Sequence, residues 1–124
     1  MSIRVEGRHV HVSRGTAAFE RSVCEAVAVG KDIVVVVLVP TDHLPRNVIS
    51  LDSNAGPEVR RNVYAVNHDG TVLWQIADLD LPRPGYFVGA KAHPDGALWA
   101  IHTSGFVVRL DPRTGAVLEQ RFTK

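Results

Sequence analysis

At 124 residues, 45% of them hydrophobic, the chain is long enough for one domain with its own core. Its formal charge of +1 leaves no basic surplus to neutralise phosphates, which argues against a dedicated nucleic-acid binder. The single cysteine, Cys24, excludes an internal disulfide, the N-terminal Met-Ser-Ile-Arg-Val-Glu-Gly-Arg has no apolar signal-peptide stretch, and no apolar run nears the ~20 residues of a membrane helix, so the expected compartment is the cytoplasm.

Residues 3–6 and 8–13 alternate apolar and polar positions around Gly7, which predicts an N-terminal β-hairpin. Val10 and Val12 share one face of its second strand; His9 and His11 share the other. Residues 16–29 admit two readings. Phe19, Val23, Ala26 and Val27 make a helical stripe with Thr16 as N-cap, whereas Val23, Val27 and Val29 suit a strand. A strand is preferred from Val23 onward, with a short helical turn before it. Gly30-Lys31-Asp32 then turns the chain into residues 33–39, Ile-Val-Val-Val-Val-Leu-Val, closed by Pro40. This run has no polar residue and no alternation. Such β-branched runs belong in a strand buried on both faces.

The polar stretch 40–61 shows no periodicity and is too long for an ordinary connection, so it is either a functional surface or a disordered connector. Residues 62–67 and 71–76 form a hairpin around His68-Asp69-Gly70. After a second connection over 78–85, strands are expected at 86–93, 97–103, 106–110 and 116–123. Their turns centre on Pro94-Asp95-Gly96, Ser104-Gly105 and Asp111-Pro112-Arg113-Thr114-Gly115.

The two halves match. Val63-Tyr64-Ala65-Val66-Asn67 leads to Gly70 and Val72-Leu73-Trp74-Gln75. Val107-Val108-Arg109-Leu110-Asp111 leads to Gly115 and Val117-Leu118-Glu119-Gln120. Each hairpin follows two further strands, giving two four-strand units. The stretch Asn-Val-Tyr-Ala-Val-Asn-His-Asp-Gly-Thr-Val-Leu-Trp-Gln-Ile resembles the outer hairpin of a quinoprotein-type (PQQ-like) β-propeller repeat. The segment Arg-Leu-Asp-Pro-Arg-Thr-Gly-Ala-Val-Leu resembles the same hairpin, with Glu119 where that family has Trp. The chain is also similar to small uncharacterised bacterial propeller-like proteins. Two blades cannot close a ring, so the quinone cofactor and enzymatic roles of complete propellers are not implied, and no cofactor is expected.

The predicted fold class is therefore all-β: two four-stranded antiparallel meander units, propeller-blade-like, plus an N-terminal β-hairpin, as an incomplete propeller, a sandwich or an open barrel. One domain divides into residues 1–22, 23–77 and 78–124. Something must cover the face of 33–39 that a next blade would cover: the other half of the chain or a second copy. A homo-oligomer, preferentially a dimer, is expected because open sheet edges need cover.

Candidate chemistry is sparse. His9 and His11 have metal-ligand spacing but no evident further ligands, so they are read as exposed strand histidines and no metal is assigned. His68-Asp69 and His93-Pro94-Asp95 are read as turns pointing to water. Cys24 is read as a buried structural thiol, Trp74 and Trp99 as core, and Arg60-Arg61 as a solvated pair. Tyr86 and Phe87 suggest a partly exposed aromatic patch beside Arg83. No catalytic constellation emerges, and no phosphate loop or nucleophile elbow is present. The chain reads as a non-enzymatic cytoplasmic protein that binds an unidentified protein partner, as an accessory or immunity-type inhibitor. The candidate binding residues lie in or beside the two long connections: His43, Arg60, Arg61, Asp78, Asp80, Arg83 and Tyr86. The alternative is a small-molecule binder or enzyme with its site at an oligomer interface, drawing on the same polar residues. Neither nucleic acid nor membrane is expected as a partner.

Overall fold

The computed structural model describes residues 3–39, 60–79 and 85–122. Its elements there are all strands, arranged in three antiparallel sheets. The N-terminal sheet holds β1 (Arg4–Glu6), β2 (His9–His11) and β3 (Thr16–Ala18). The middle sheet holds β4 (Val23–Val29), β5 (Ile33–Leu38), β6 (Val63–Val66) and β7 (Val72–Gln75). The C-terminal sheet holds β8 (Phe87–Ala92), β9 (Leu98–His102), β10 (Phe106–Leu110) and β11 (Val117–Phe122). Strands neighbour one another in chain order, so both four-stranded sheets are meanders, and none of the three closes into a barrel.

The aliphatic run is β5, inside the middle sheet between β4 and β6. Successive strand side chains point to opposite faces, and here each face meets a different layer. Val35 and Val37 pack with Phe87, Ala90, Leu98, Ala100, Val108 and Leu110 of the C-terminal sheet. Val34, Val36 and Leu38 pack with Val10, Val12 and Ala17 of the N-terminal segment. The lack of alternation thus follows from a sheet sandwiched between two others. The cover expected from the other half of the chain lies on one face, and the N-terminal sheet supplies the other.

Three differences from the sequence reading have physical causes. The N-terminal hairpin gains a third strand, Thr16–Ala18, paired with β2 through His9↔Ala18, Val10↔Ala17 and His11↔Thr16. No helical turn precedes Val23, because Ala17 serves the core through a strand face rather than a helical stripe. Tertiary burial overrides alanine's helix propensity there. Phe87 is not a surface aromatic: it is buried against β5 and β9, with its ring edge-on to His102 at 5.1 Å between centroids.

The two four-stranded sheets share irregularities as well as order. Each has a register shift at the start of its first pairing, between Val23 and Glu25 and between Phe87 and Gly89. Each has another where its last two strands pair, between Ala65 and Val66 and between Arg109 and Leu110. Each final hairpin turns on a glycine of positive φ, Gly70 (87°) and Gly115 (77°). The sheets are also fastened to each other. Trp74 donates its indole N–H to the Pro112 carbonyl (2.8 Å). A Cβ on Gly115 would lie 2.7 Å from the same indole, so the ring sits flush on the β10–β11 turn.

Candidate interaction surfaces

Of the polar residues singled out from the sequence, Arg60, Arg61 and Asp78 come together beside the ends of β6 and β7. Arg60 grips Asp78 through two parallel bonds, Nε to Oδ1 and Nη2 to Oδ2, each 2.8 Å. The hydrogen bond from Arg60 holds the Asp78 carboxyl below its ordinary value, helped by the charges of Arg60 and Arg61. Arg61 donates Nε to the Ile76 carbonyl (2.9 Å), and Gln75 donates to the Arg61 carbonyl and to the Tyr64 hydroxyl (both 2.9 Å). The Arg60-Arg61 pair is therefore half-buried bracing rather than a solvated loop pair. Tyr86 stands apart on the approach to β8, its backbone exchanging bonds with Thr103. His43, Asp80 and Arg83 lie outside the described residues.

The histidines divide by environment. His93 is exposed on its turn, but His68 is only 3% exposed and does not face water. Its Nδ1 accepts from the Ser13 hydroxyl (3.0 Å) and the Ser13 amide (3.4 Å), while Arg14 pairs with neighbouring Asp69 (2.6 Å). The β6–β7 turn is thereby latched to the N-terminal sheet. On the outer side of that sheet the His9 and His11 rings stack at 6.4 Å, His11 Nδ1 meets the Thr16 hydroxyl (3.0 Å), and His11 Nε2 lies 3.5 Å from Glu6. Among the described residues no group of three or more His, Cys, Asp or Glu is placed to hold a metal ion. His102 is buried: its Nδ1 accepts from the Ser104 amide (3.2 Å), with the Ser104 hydroxyl at 2.6 Å.

Cys24 is exposed on β4 rather than buried, because β4 is an edge strand. Partial burial of its thiol, and then the neighbouring Glu25 charge, raise its pKa, so it is a poor nucleophile at neutral pH. Asn62 bears no mark in the sequence and proves to be the buried joint between two sheets. Its Nδ2 donates to the carbonyls of Leu38 (2.7 Å) and Phe87 (2.8 Å), and its Oδ1 accepts from the Phe87 amide (3.1 Å).

The profile of a family described as a domain of unknown function (DUF7957) matches residues 1–122. The chain belongs to DUF7957. Neither the curated proteins nor the solved structures contain a match to it. Among the described residues of this DUF7957 chain no helix is long and apolar enough to cross a membrane.

A second surface of the DUF7957 chain lies on the outer side of the C-terminal sheet. Strand pairing sets two rows across it. One runs Lys91, Trp99, Arg109, Glu119; the other runs Gly89, Ile101, Val107, Arg121. Trp99, Ile101 and Val107 are half-buried and belong to neither core. Trp99, expected in the core, instead shares the outer face with Ile101. The Arg121 guanidinium lies 5.2 Å from the Trp99 ring centre and pairs with Glu119. Lys91 and Arg109 have no ion-pair or hydrogen-bonding partner for their side chains among the described residues.

Proposed function

We propose that this DUF7957 chain is a non-enzymatic interaction protein of the cytoplasm, an accessory or inhibitory partner of another protein. The observation that carries this reading is the outer face of the C-terminal sheet, where Trp99, Ile101 and Val107 stay half-exposed at the centre of a rigid four-stranded surface. A half-exposed aromatic ringed by arginine and lysine has the composition of a protein-binding hot spot. The described polar groups add weight. Asp78 is clamped by Arg60, Cys24 is held as a thiol, and His68 and His102 spend their Nδ1 atoms on serines. Because both faces of β5 are covered within one chain, a second copy is not needed to bury it, and the partner we infer is a different protein.

We also read the two four-strand units as propeller-type repeats. The shared order, the matching register shifts and the seating of Trp74 on the Gly115 turn support that reading. Glu119, at the position of Trp74 in the second unit, puts a charge where a further blade would need an apolar seat.

The test is affinity capture from the source cells with the folded chain as bait. Wild-type protein is expected to retain one partner in stoichiometric amount, and Trp99→Ala, checked for an unchanged far-UV CD spectrum, is expected to lose it. Recovery of no stoichiometric partner under gentle lysis would overturn the reading.

A further inference from the structure

The charges around this face are uneven, and that unevenness identifies the chemistry of what docks there. Lys91, Arg109 and Arg121 present three cations around Trp99, Ile101 and Val107. The face itself contributes one carboxylate, Glu119, already bound to Arg121. Glu25 adds a second carboxylate at the rim beside Gly89, where it accepts from the Ala90 amide (3.1 Å), so three cations stand against two carboxylates. The outer face of the N-terminal sheet has no such bias: it carries Arg4 and Glu6 with His9, His11 and Thr16. A chain whose formal charge is only +1 thus gathers a positive surplus on one sheet face, and two of the three cations there, Lys91 and Arg109, are outside any ion pair among the described residues.

We propose that this face docks an acidic protein segment, with carboxylates on Lys91 and Arg109 and an apolar side chain over Trp99 and Val107. The inference rests on the interaction-protein reading and names the partner's chemistry. Lys91 and Arg109 flank Trp99 in one cross-strand row, two inter-strand spacings or about 10 Å apart. Alternate residues of an extended segment share a face, so acidic positions four apart with an apolar residue midway, spanning about 13 Å, fit the row within reach of the long Lys91 and Arg109 side chains. Pairing this face with its own copy would set two like surfaces together, each with three cations against two carboxylates and so net positive, which is repulsive. A single-stranded nucleic acid would seek successive aromatic platforms and a long cationic track, whereas this face offers one indole, already under a guanidinium.

The experiment is a titration of the 15N-labelled chain, followed by amide chemical shifts, with three probes. One is the peptide acetyl-Glu-Glu-Leu-Glu-Glu-Leu-Glu-Glu-amide, the second is its lysine counterpart, and the third is a deoxythymidine decamer. The acidic peptide is expected to shift the amides of Lys91, Trp99, Ile101, Val107 and Arg109. Its affinity should weaken about tenfold or more in the double variant Lys91→Glu, Arg109→Glu and fall steeply with added salt. No shift with the acidic peptide, equal shifts with the lysine peptide, or preferential shifts with the decamer would each overturn the proposal. Capture from cells separates it from the reading beneath it. A partner lost with Trp99→Ala but kept by the double charge variant would overturn the acidic docking alone, whereas no partner at all would overturn both.

Discussion

His102 is the residue whose chemistry is most constrained by the fold. Because Nδ1 accepts from Ser104, the ring proton resides on Nε2, where it meets the Gly85 carbonyl. A second proton would have to enter at Nδ1, against the Ser104 amide and in a buried setting beside Phe87. Burial accordingly lowers the His102 pKa, and the bond to Gly85 opposes the shift only in part. The sign follows from linkage: the unfolded chain binds this proton more readily than the folded one. The stability from His102 is thus fully present above the ordinary histidine range, near pH 6.5, and is lost as pH falls below it toward the depressed folded value. Urea unfolding of wild type and His102→Asn between pH 7.5 and 5 should show a loss on acidification that is larger in wild type. In the folded protein the His102 ring resonance should titrate below the ordinary range. Identical pH dependence in the two proteins, together with an ordinary ring titration, would remove this account.

At the scale of elements, the β10–β11 turn holds the C-terminal sheet to the middle one through a glycine. Gly115 has positive φ, and the Trp74 indole occupies the space a Cβ would need, at 2.7 Å. Gly30 has a similar φ of 65° and nothing within 4 Å of a built Cβ. Gly30→Ala therefore carries only the left-handed backbone penalty, about 1–2 kcal/mol. Gly115→Ala adds an overpacking cost of about 1–3 kcal/mol and should move the Trp74 fluorescence as the ring is displaced. Chemical denaturation of the pair checks the difference; equal losses would mean that Trp74 yields freely. Turn chemistry of this kind was legible in advance, since Gly70 and Gly115 follow polar turn residues between apolar runs; the strands after Gly30 could be placed from apolar runs bounded by such turns, whereas the pattern over residues 16–29 fitted helix as well as strand. What could not be read were side chains whose role depends on a distant partner. Asn62 looks like any polar residue ahead of a strand until Leu38 and Phe87 arrive beside it. His68 looks like an exposed turn residue until Ser13, 55 positions away, reaches it. Trp99 and Trp74 have the same local pattern, and only the order of the layers puts one outside and the other within.

At the scale of the whole molecule, the N-terminal sheet decides whether the middle sheet can exist in water. It is the smallest layer, with three strands of three residues each. Its β1 is exposed throughout, so on its own it has almost no core. Yet Val10, Val12 and Ala17 cover Val34, Val36, Leu38 and Val66, of which none is more than 1% exposed. Burying such a side chain stabilises by about 1.5–3 kcal/mol. Four of them together match the whole stability of an ordinary domain, about 5–15 kcal/mol. The latch around the β6–β7 turn, formed by Ser13 with His68 and Arg14 with Asp69, would be lost as well. A chain that begins at Glu20 keeps both four-stranded meanders intact in sequence but exposes an aliphatic face of the middle sheet. We expect it to bind the dye ANS, to lose its cooperative thermal transition and to aggregate, whereas Val10→Ala in the full chain should cost only about 1–3 kcal/mol and leave the transition cooperative. A truncated chain that melts cooperatively without binding dye would mean that the two four-stranded sheets are a self-sufficient core, with the N-terminal strands merely laid upon it.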